Sequence, residues 1–433
     1  MNVLRGSRFS GLYSSIKRTR DGKRIVKNFG YLLLLEVATH LFPLITLPYL
    51  GRVIGVEGFG LLAIGTAVIS YVQAITKYGF DYSSVRDVAR LRDSAEEVSK
   101  IVSLTFFTRL FLMLVSILIL GICCLSIPFL RDNSLVIWCT FLLVPGVVLN
   151  PDWVFQAFED MHFITIRNLI AKTITTGLVF LMIKHKQDYF WQPILEAIGV
   201  IIPSLMGIYM MHKKYGIRIV LPSFKAILDE LRKGFNMFIT MFLPTVYTHL
   251  NVLLLGSVQG TTAAGVYNGG TKFTSLAFSF FRLISRTVYP HFSRKMNQHA
   301  LYVRVSLLIS ICISLVLFIF AKPLVYLLLG PEFGETVKVL RIVAFTPVAM
   351  SLMNSYGVNY LVLKNREKLM SRIIVLVTII GLVLGITGAI FYSYVGVAVA
   401  SLTTQFIRAI LISWYARRIA KDETTTTNSC SAI

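Results

Sequence analysis

Seven basic side chains stand where an apolar chain would carry none. Arg109, Lys172, Lys272, Arg282, Lys338, Arg341 and Arg408 fall inside apolar runs of about 20 residues, the length that crosses a bilayer core. The comparably placed acids are Glu36, Asp152 and Glu196. Guanidinium and ammonium groups in such a setting bind phosphate or carboxylate oxygens through charge-assisted hydrogen bonds. Carboxylates and imidazoles can relay protons. Glu36 and His40 are one helical turn apart and share a face. Asp152, His249 and Asn251 are the other polar candidates. An ionisable group at mid-bilayer costs about 2.5–3.5 kcal/mol on insertion scales, so these groups call for a water-filled interior. Seven cations against three acids make that interior cationic, suited to an anionic ligand.

Position sorts the candidates. Arg282, Lys338 and Arg341 lie near helix ends, where a long side chain can line the interior or snorkel to the interface. Arg109 and Lys172 lie further in, Lys272 is near the middle of its run, and Arg408 is well inside the last one. The cavity set is therefore Arg109, Lys172, Lys272, Arg282 and Arg408, and the proton- or ion-coupling set is Glu36, His40, Asp152 and His249. For the second set a satisfied interhelical hydrogen bond is an equal reading.

The elements that must hold these groups are helices. The chain has 433 residues, 55% hydrophobic and 15% charged, where a soluble domain carries about 25% charged residues. Its mean hydropathy is +0.70. Twelve apolar runs can be laid out between residue 30 and residue 416, which predicts an all-α polytopic membrane protein. Assigned to alternating sides, the loops and ends place 31 Lys and Arg on one side and five on the other. The positive-inside rule then puts both termini in the cytoplasm, so the net charge of +22 reflects topology and anionic inner-leaflet lipid, and nucleic acid is not called for.

A repeat divides the chain. "LGRVIGVEGFG" at 50–60 matches "LGSVQGTTAAG" at 255–265, aligning Leu50, Gly51, Val53, Gly55 and Gly60 with Leu255, Gly256, Val258, Gly260 and Gly265 at an offset of 205. Six runs separate the copies, so both face the same side, and two parallel six-helix lobes follow, with a substrate path between them. The divisions are a basic cytoplasmic segment 1–28, a first lobe 29–211, a cytoplasmic linker 212–234, a second lobe 235–416 and a disordered tail 417–433. Within the first segment, Phe9, Leu12, Tyr13 and Ile16 have the spacing of an amphipathic surface helix, and a disordered leader fits as well. Pro43, Pro48 and Pro244 are expected to interrupt the leading helix of each lobe. "GVYNG" at 265–269 and "GLVLG" at 381–385 read as close helix contacts.

Enzymatic signatures are missing from the chain: it has no P-loop, no Gly-x-Ser-x-Gly and no Cys–His metal spacing, and its loops leave little room for a catalytic domain. No cofactor or metal is expected. The glycine-dense loop at 50–60 lacks the Gly-Lys-Ser/Thr ending of a phosphate cradle and reads as a tight turn, with Arg52 and Glu57 as solvated interfacial charges. "HKQD" at 185–188 reads as a solvated surface stretch.

Four stretches, "TLPYLGRVIGVEGFGLLAIGTAV", "KYGFDYSSVRDVA", "NPDWVFQAFEDMHFITIRNLIAK" and "TVYPHFSR", resemble the O-antigen (Wzx-type) flippases of the multidrug/oligosaccharidyl-lipid/polysaccharide exporter superfamily. The resemblance runs from about residue 28 to 418. It implies a V-shaped, MATE-like arrangement of twelve helices in two lobes. It also implies a substrate, an oligosaccharide on undecaprenyl diphosphate, turned from the cytoplasmic to the periplasmic leaflet of the inner membrane. Polysaccharide polymerase and chain-length proteins are the implied partners. A drug or cation antiporter of the same superfamily would share the topology but call for a more acidic cavity. A polyprenyl-linked sugar polymerase or ligase would call for a large periplasmic loop, which this chain lacks.

Overall fold

The computed structural model describes residues 20–292, 299–364 and 366–430. The described residues are helical, joined by short turns. In chain order the helices are α1 (Arg20–Lys77), α2 (Phe80–Arg90), α3 (Ala95–Ser126), α4 (Pro128–Asp132), α5 (Ser134–Phe141), α6 (Leu143–Leu149), α7 (Asp152–Ala157), α8 (Met161–Met182) and α9 (Trp191–Tyr215). After these come α10 (Phe224–Gln259), α11 (Thr261–Phe292), α12 (His299–Ile319), α13 (Ala321–Leu328), α14 (Thr336–Val343) and α15 (Thr346–Leu352). A ten-residue π-helix, Met353–Val362, and the long α16 (Glu367–Cys430) complete the chain. The amphipathic pattern at Phe9 to Ile16 lies outside the described residues.

Helix ends follow local chemistry. Ser94 caps α3 by accepting from the Glu97 N–H at 3.4 Å, with Glu96 and Glu97 in the positive first turn. Ser223 caps α10 in the same way, through the Ala226 N–H. At the other end of α9, Gly216 takes the left-handed conformation and its N–H closes on the His212 carbonyl, while Lys213 and Lys214 face the negative end of the helix dipole.

The continuous α1 conceals a reversal. At Gly55 the backbone takes φ 68° and ψ −175°, a region in effect open only to glycine. Before Gly55 the chain climbs beside α8: Thr165 donates to the Tyr31 carbonyl at 2.9 Å, and Tyr49 donates to that of Ile183 at 2.6 Å. After Gly55 it descends against α10: Ile64 packs at Gly256, Tyr71 donates to the Val246 carbonyl at 3.1 Å, and Tyr78 to that of Leu231 at 3.1 Å. The start and finish of α1 therefore lie at the same end of the molecule, and the expected tight turn is centred on Gly55. In α16 the reversal falls at Ser393, where φ is 51°, and Gly388 and Gly396 press backbone to backbone across it. Pro43 and Pro48 do not interrupt α1, because each is absorbed within the helix and the break is displaced to the glycine. Nor does α16 end near residue 416: the helix runs on through Cys430, where composition suggested disorder.

Nine described helical stretches are long and apolar enough to span a membrane, and two of them contain these reversals. With α11 added, the twelve crossings read from the sequence are accommodated. Wide apolar stripes face outward, including Leu118, Ile122 and Leu125 on α3 and Leu376, Ile379 and Phe391 on α16. A soluble fold would bury such stripes, and lipid accepts them. The chain is a multi-pass membrane protein.

The repeat is visible in the backbone. Gly260, the counterpart of Gly55, has φ 88° and ψ 172° and also separates two antiparallel helices. Gly60 and Gly265, also counterparts, touch each other. A Cβ on Gly60 would strike the Thr261 carbonyl, and one on Gly265 would strike that of Val56. Val56 and Thr261 are themselves 205 residues apart. Such reciprocal contact arises where an approximate two-fold axis passes between two copies of one unit. Only glycine lets the lobes approach so closely.

Candidate functional site

The lobes are joined by two apolar seams. One holds Leu47, Leu50, Ile54, Phe59 and Leu195 of the first lobe against Phe273, Val325, Leu329 and Phe333 of the second. The other packs Ile64 and Ala67 against Val252, Leu255, Tyr267 and Ala398. At the basic end, Tyr78 stacks on Phe238 with ring centroids 4.6 Å apart and carries α10 against α1. Gly265 and Gly269 serve helix packing here, and Gly385 receives the Asn251 side chain.

Five ionisable groups on five crossings share the interior. Lys272 on α11 acts electrostatically on Glu196 of α9 and His249 of α10. Lys172 on α8 acts on Glu196 and on Glu36 of α1. Lys272 and Glu196 each keep accessible surface although protein encloses them, as expected of side chains lining an internal space. Their chain neighbours Phe273 and Leu195 belong to the same apolar seam. Glu196 also accepts a 2.6 Å hydrogen bond from Gln192 Nε2, one turn earlier on α9. His249 meets the Tyr71 ring edge-on at 6.3 Å, a contact between lobes.

Arg109 and Asp152 are placed elsewhere. Arg109 is 2% exposed inside the first lobe, donates to Asp81 Oδ1 at 2.7 Å, and lies over the Trp153 ring. Asp152 pairs with Arg167, and the carboxylate also receives Asn150 Nδ2 at 3.0 Å and Asn168 Nδ2 at 3.4 Å. Arg167 is buried over Phe155 and against Gly207, where a Cβ would collide with its guanidinium. Lys338 bonds Glu335 at 2.8 Å. Arg408 is half-buried on α16. His40 and Arg282 fall on α1 and α11, and their side chains lie outside the described residues.

Two contacts at the end opposite the basic face tie the lobes together. Lys186 Nζ donates to Glu332 Oε1 at 2.7 Å above the Gly55 reversal, and Arg52 Nη2 donates to the Leu327 carbonyl at 2.9 Å. Neither "HKQD" nor Arg52 is thus merely solvated. Their partners are well over a hundred residues away, so no local spacing signals them. Outside the spans, Asp160 accepts from Lys214 Nζ at 2.5 Å and from the Tyr215 hydroxyl. Burial alone would raise its carboxyl, but these bonds and the Lys214 charge outweigh burial and hold it below the usual carboxylate range.

Known proteins resemble this chain along most of its length. A protein of Escherichia coli (strain K12) named "Putative O-antigen transporter" is 25% identical over 399 residues, covering 90% of this chain and 96% of that one. A Shigella dysenteriae protein of the same name is 26% identical, covering 88% and 97%. Among solved structures, the lipid II flippase MurJ in an inward closed conformation superposes with a TM-score of 0.71 at 15% identity, over 89% of this chain and 87% of that one. An outward-facing MATE family multidrug resistance transporter of the MOP superfamily gives 0.52 at 16% identity, over 95% and 98%. These likenesses show a common fold. The profile of one sequence family, the polysaccharide biosynthesis proteins, matches residues 25–296, and the chain belongs to that family.

Proposed function

We propose that this protein is a flippase for undecaprenyl-diphosphate-linked oligosaccharide units. It carries them from the cytoplasmic to the periplasmic leaflet of the inner membrane, for O-antigen or a related surface polysaccharide. The observation that carries the reading is the enclosed but accessible lysine pair, Lys172 on one lobe and Lys272 on the other. Relatives named as putative O-antigen transporters support this substrate class. A diphosphate diester brings about two negative charges, which two ammonium groups can meet by charge-assisted hydrogen bonds. The sugar needs a wet interior, and the polyprenyl chain can remain in lipid.

Transport then proceeds by alternating access. The Gly60–Gly265 contact serves as the pivot because no side chains interlock there. Opening to the periplasm requires the Lys186–Glu332 pair and the Arg52 bond to part. The basic face meets anionic lipid on the cytoplasmic side, both termini lie there, and a polymerase with its chain-length protein receives the product across the membrane. Glu36 and His249 are the candidates for ion coupling, since both border the lysine pair.

The experiment is complementation of a flippase-null strain. Wild-type chain should clear lipid-linked units from the cytoplasmic leaflet, whereas Lys272→Ala and Arg408→Ala should cut export while protein amounts stay normal. Continued accumulation with the wild-type chain refutes the function, and normal export by both variants refutes the cationic site.

A further inference from the structure

Along the seam between α1 and α10, four aromatic rings from the two lobes make an unbroken run toward the basic end. Tyr78 of the first lobe lies flat on Phe238 of the second, with centroids 4.6 Å apart and an interplanar angle of 7°. Phe238 stacks on Phe242 at 5.0 Å, and Phe242 meets Tyr71 of the first lobe at 6.5 Å. Both tyrosine hydroxyls donate across the seam, Tyr78 to the Leu231 carbonyl and Tyr71 to that of Val246, each at 3.1 Å. Gly234 makes room for Tyr78, since a Cβ there would stand 3.1 Å from the ring. On its own side Tyr78 stacks on Phe80 at 5.5 Å, and with Leu112 this roots it in the first lobe.

Tyr78 reaches α10 from a strained backbone. Its φ is 49°, and it is one of three described non-glycine residues with a positive φ. Glycine or asparagine ordinarily takes that conformation at a helix end. Here the glycine comes one residue later: Gly79, with φ 84°, presses on Met237 of α10, where a Cβ would lie 2.6 Å from Cγ. The turn from α1 into α2 gains nothing from a tyrosine at its first position, whereas the contact with α10 does.

We propose that Tyr78 is the gate at the basic end: its ring holds α1 to α10 while the lobes are closed there, and the strain in its backbone favours release. The inference rests on the transport reading above, in which this end faces the cytoplasm, and it names the group that must move to admit substrate. Ring faces that lie flat on one another part without unlocking side chains, so the stack can open and re-form. Once the ring leaves α10, residue 78 is free to return to an ordinary conformation, and the strain belongs to the closed state alone. The two ends are therefore held differently. Lys186–Glu332 is an exposed ion pair, whereas Tyr78 is 8% exposed and holds by packing and one hydrogen bond.

The test uses the full chain, its five cysteines replaced by serine, in nanodiscs of phosphatidylethanolamine and phosphatidylglycerol. Spin labels on Arg90→Cys and Lys233→Cys, exposed positions on α2 and α10, report lobe separation at the basic end by double electron–electron resonance. Phe238→Ala removes the stack and should raise the separated population about tenfold. Tyr78→Phe keeps the stack but loses the hydroxyl bond, for a rise of about threefold. Two variants without the ring isolate the strain: Tyr78→Ala keeps the left-handed penalty and Tyr78→Gly removes it, so the first should be open about fivefold more often. In separate preparations, labelling of Ser257→Cys at the opposite end should not speed up in any variant, whereas general loosening would speed it up. Wild-type distances in Phe238→Ala, or opening there matched by faster Ser257→Cys labelling, overturn the gate. Equal opening of Tyr78→Ala and Tyr78→Gly overturns the stored strain. A wild-type chain that never parts at this end, with or without undecaprenyl diphosphate, while Phe238→Ala does, overturns alternating access and leaves the gate standing.

Discussion

Arg109 and Arg167 lie closed inside the first lobe, whereas Lys172 and Lys272 keep accessible surface, yet all four are cations on membrane-crossing helices. The arginines are 2% and 4% exposed, each with a carboxylate at hydrogen-bonding range and an aromatic ring alongside. The lysines have no such closed shell and keep accessible surface. A cation whose charge is fully met by its own lobe holds that lobe together. A cation without such a closed shell keeps its charge open to a ligand, which is the reading tested for Lys172 and Lys272. Partnership separates the two kinds, and depth in the bilayer does not.

The strongest way to break this comparison is to remove an acid partner. Asp152→Ala strands the Arg167 guanidinium, and Asp81→Ala strands that of Arg109. Losing one member of a buried pair costs about 3–5 kcal/mol. We expect Asp152→Ala at the upper part of that range and Asp81→Ala below it, because Asp81 is 44% exposed. Thermal unfolding in detergent and steady-state protein amount should both fall, and an Asp152→Leu/Arg167→Met double variant should recover part of the loss. Lys172→Gln and Lys272→Gln should stay within about 1 kcal/mol of wild type. Abundant, stable Asp152→Ala protein that fails only in transport would erase the distinction.

What the sequence could convey follows from the range of each interaction. The lobed plan was readable because it depends on local features: apolar runs long enough to cross, a charge bias, and the glycines at 51, 55 and 60 that recur at 256, 260 and 265. The Gly55 and Gly260 conformations and the Gly60–Gly265 contact are the physical content of that repeat. The pairing of charges was not readable. Asp81 and Arg109 are 28 residues apart and Lys186 and Glu332 are 146 apart, so neither pair leaves a trace in helical spacing. Asp152 and Arg167 sit on different helices, and nothing local joins them. Depth alone therefore put Arg109 and Asp152 among the interior candidates and passed over Arg167.

A middle case sharpens the comparison. The Lys186–Glu332 pair crosses the lobes, but its side chains are 66% and 47% exposed. An exposed pair contributes about 0–1 kcal/mol, so Lys186→Glu should barely affect unfolding. Its effect should show in the balance between open and closed states, where about 1 kcal/mol moves the ratio roughly fivefold. Labelling of a cysteine placed at Ser257, on the same end of α10, should speed up in Lys186→Glu and return toward wild type in Lys186→Glu/Glu332→Lys. Unchanged labelling would make the contact incidental to closure.

The last case is Asp160, at the basic rim of the first lobe. Its side chain is 17% exposed and its partner Lys214 is 41% exposed, so it is less closed than the arginine pairs and more so than the Lys186–Glu332 pair. The carboxyl is held below its usual range because the Lys214 and Tyr215 bonds outweigh the penalty of burial. A carboxyl depressed on folding stabilises the fold above its unfolded pKa of about 3.9 and loses that contribution as pH falls through the folded value. Asp160→Asn should therefore cost about 1 kcal/mol at neutral pH, discounted for the exposure of Lys214. The wild-type advantage should shrink as unfolding is followed downward from about pH 4, where the group begins to take up its proton. Tyr215 stacks on Phe158 with centroids 4.0 Å apart, so the junction of α7 and α8 keeps an apolar contact after the charge is gone. The pH dependence should consequently be shallow, and a steep acid transition that vanishes in Asp160→Asn would place this pair with the closed arginines.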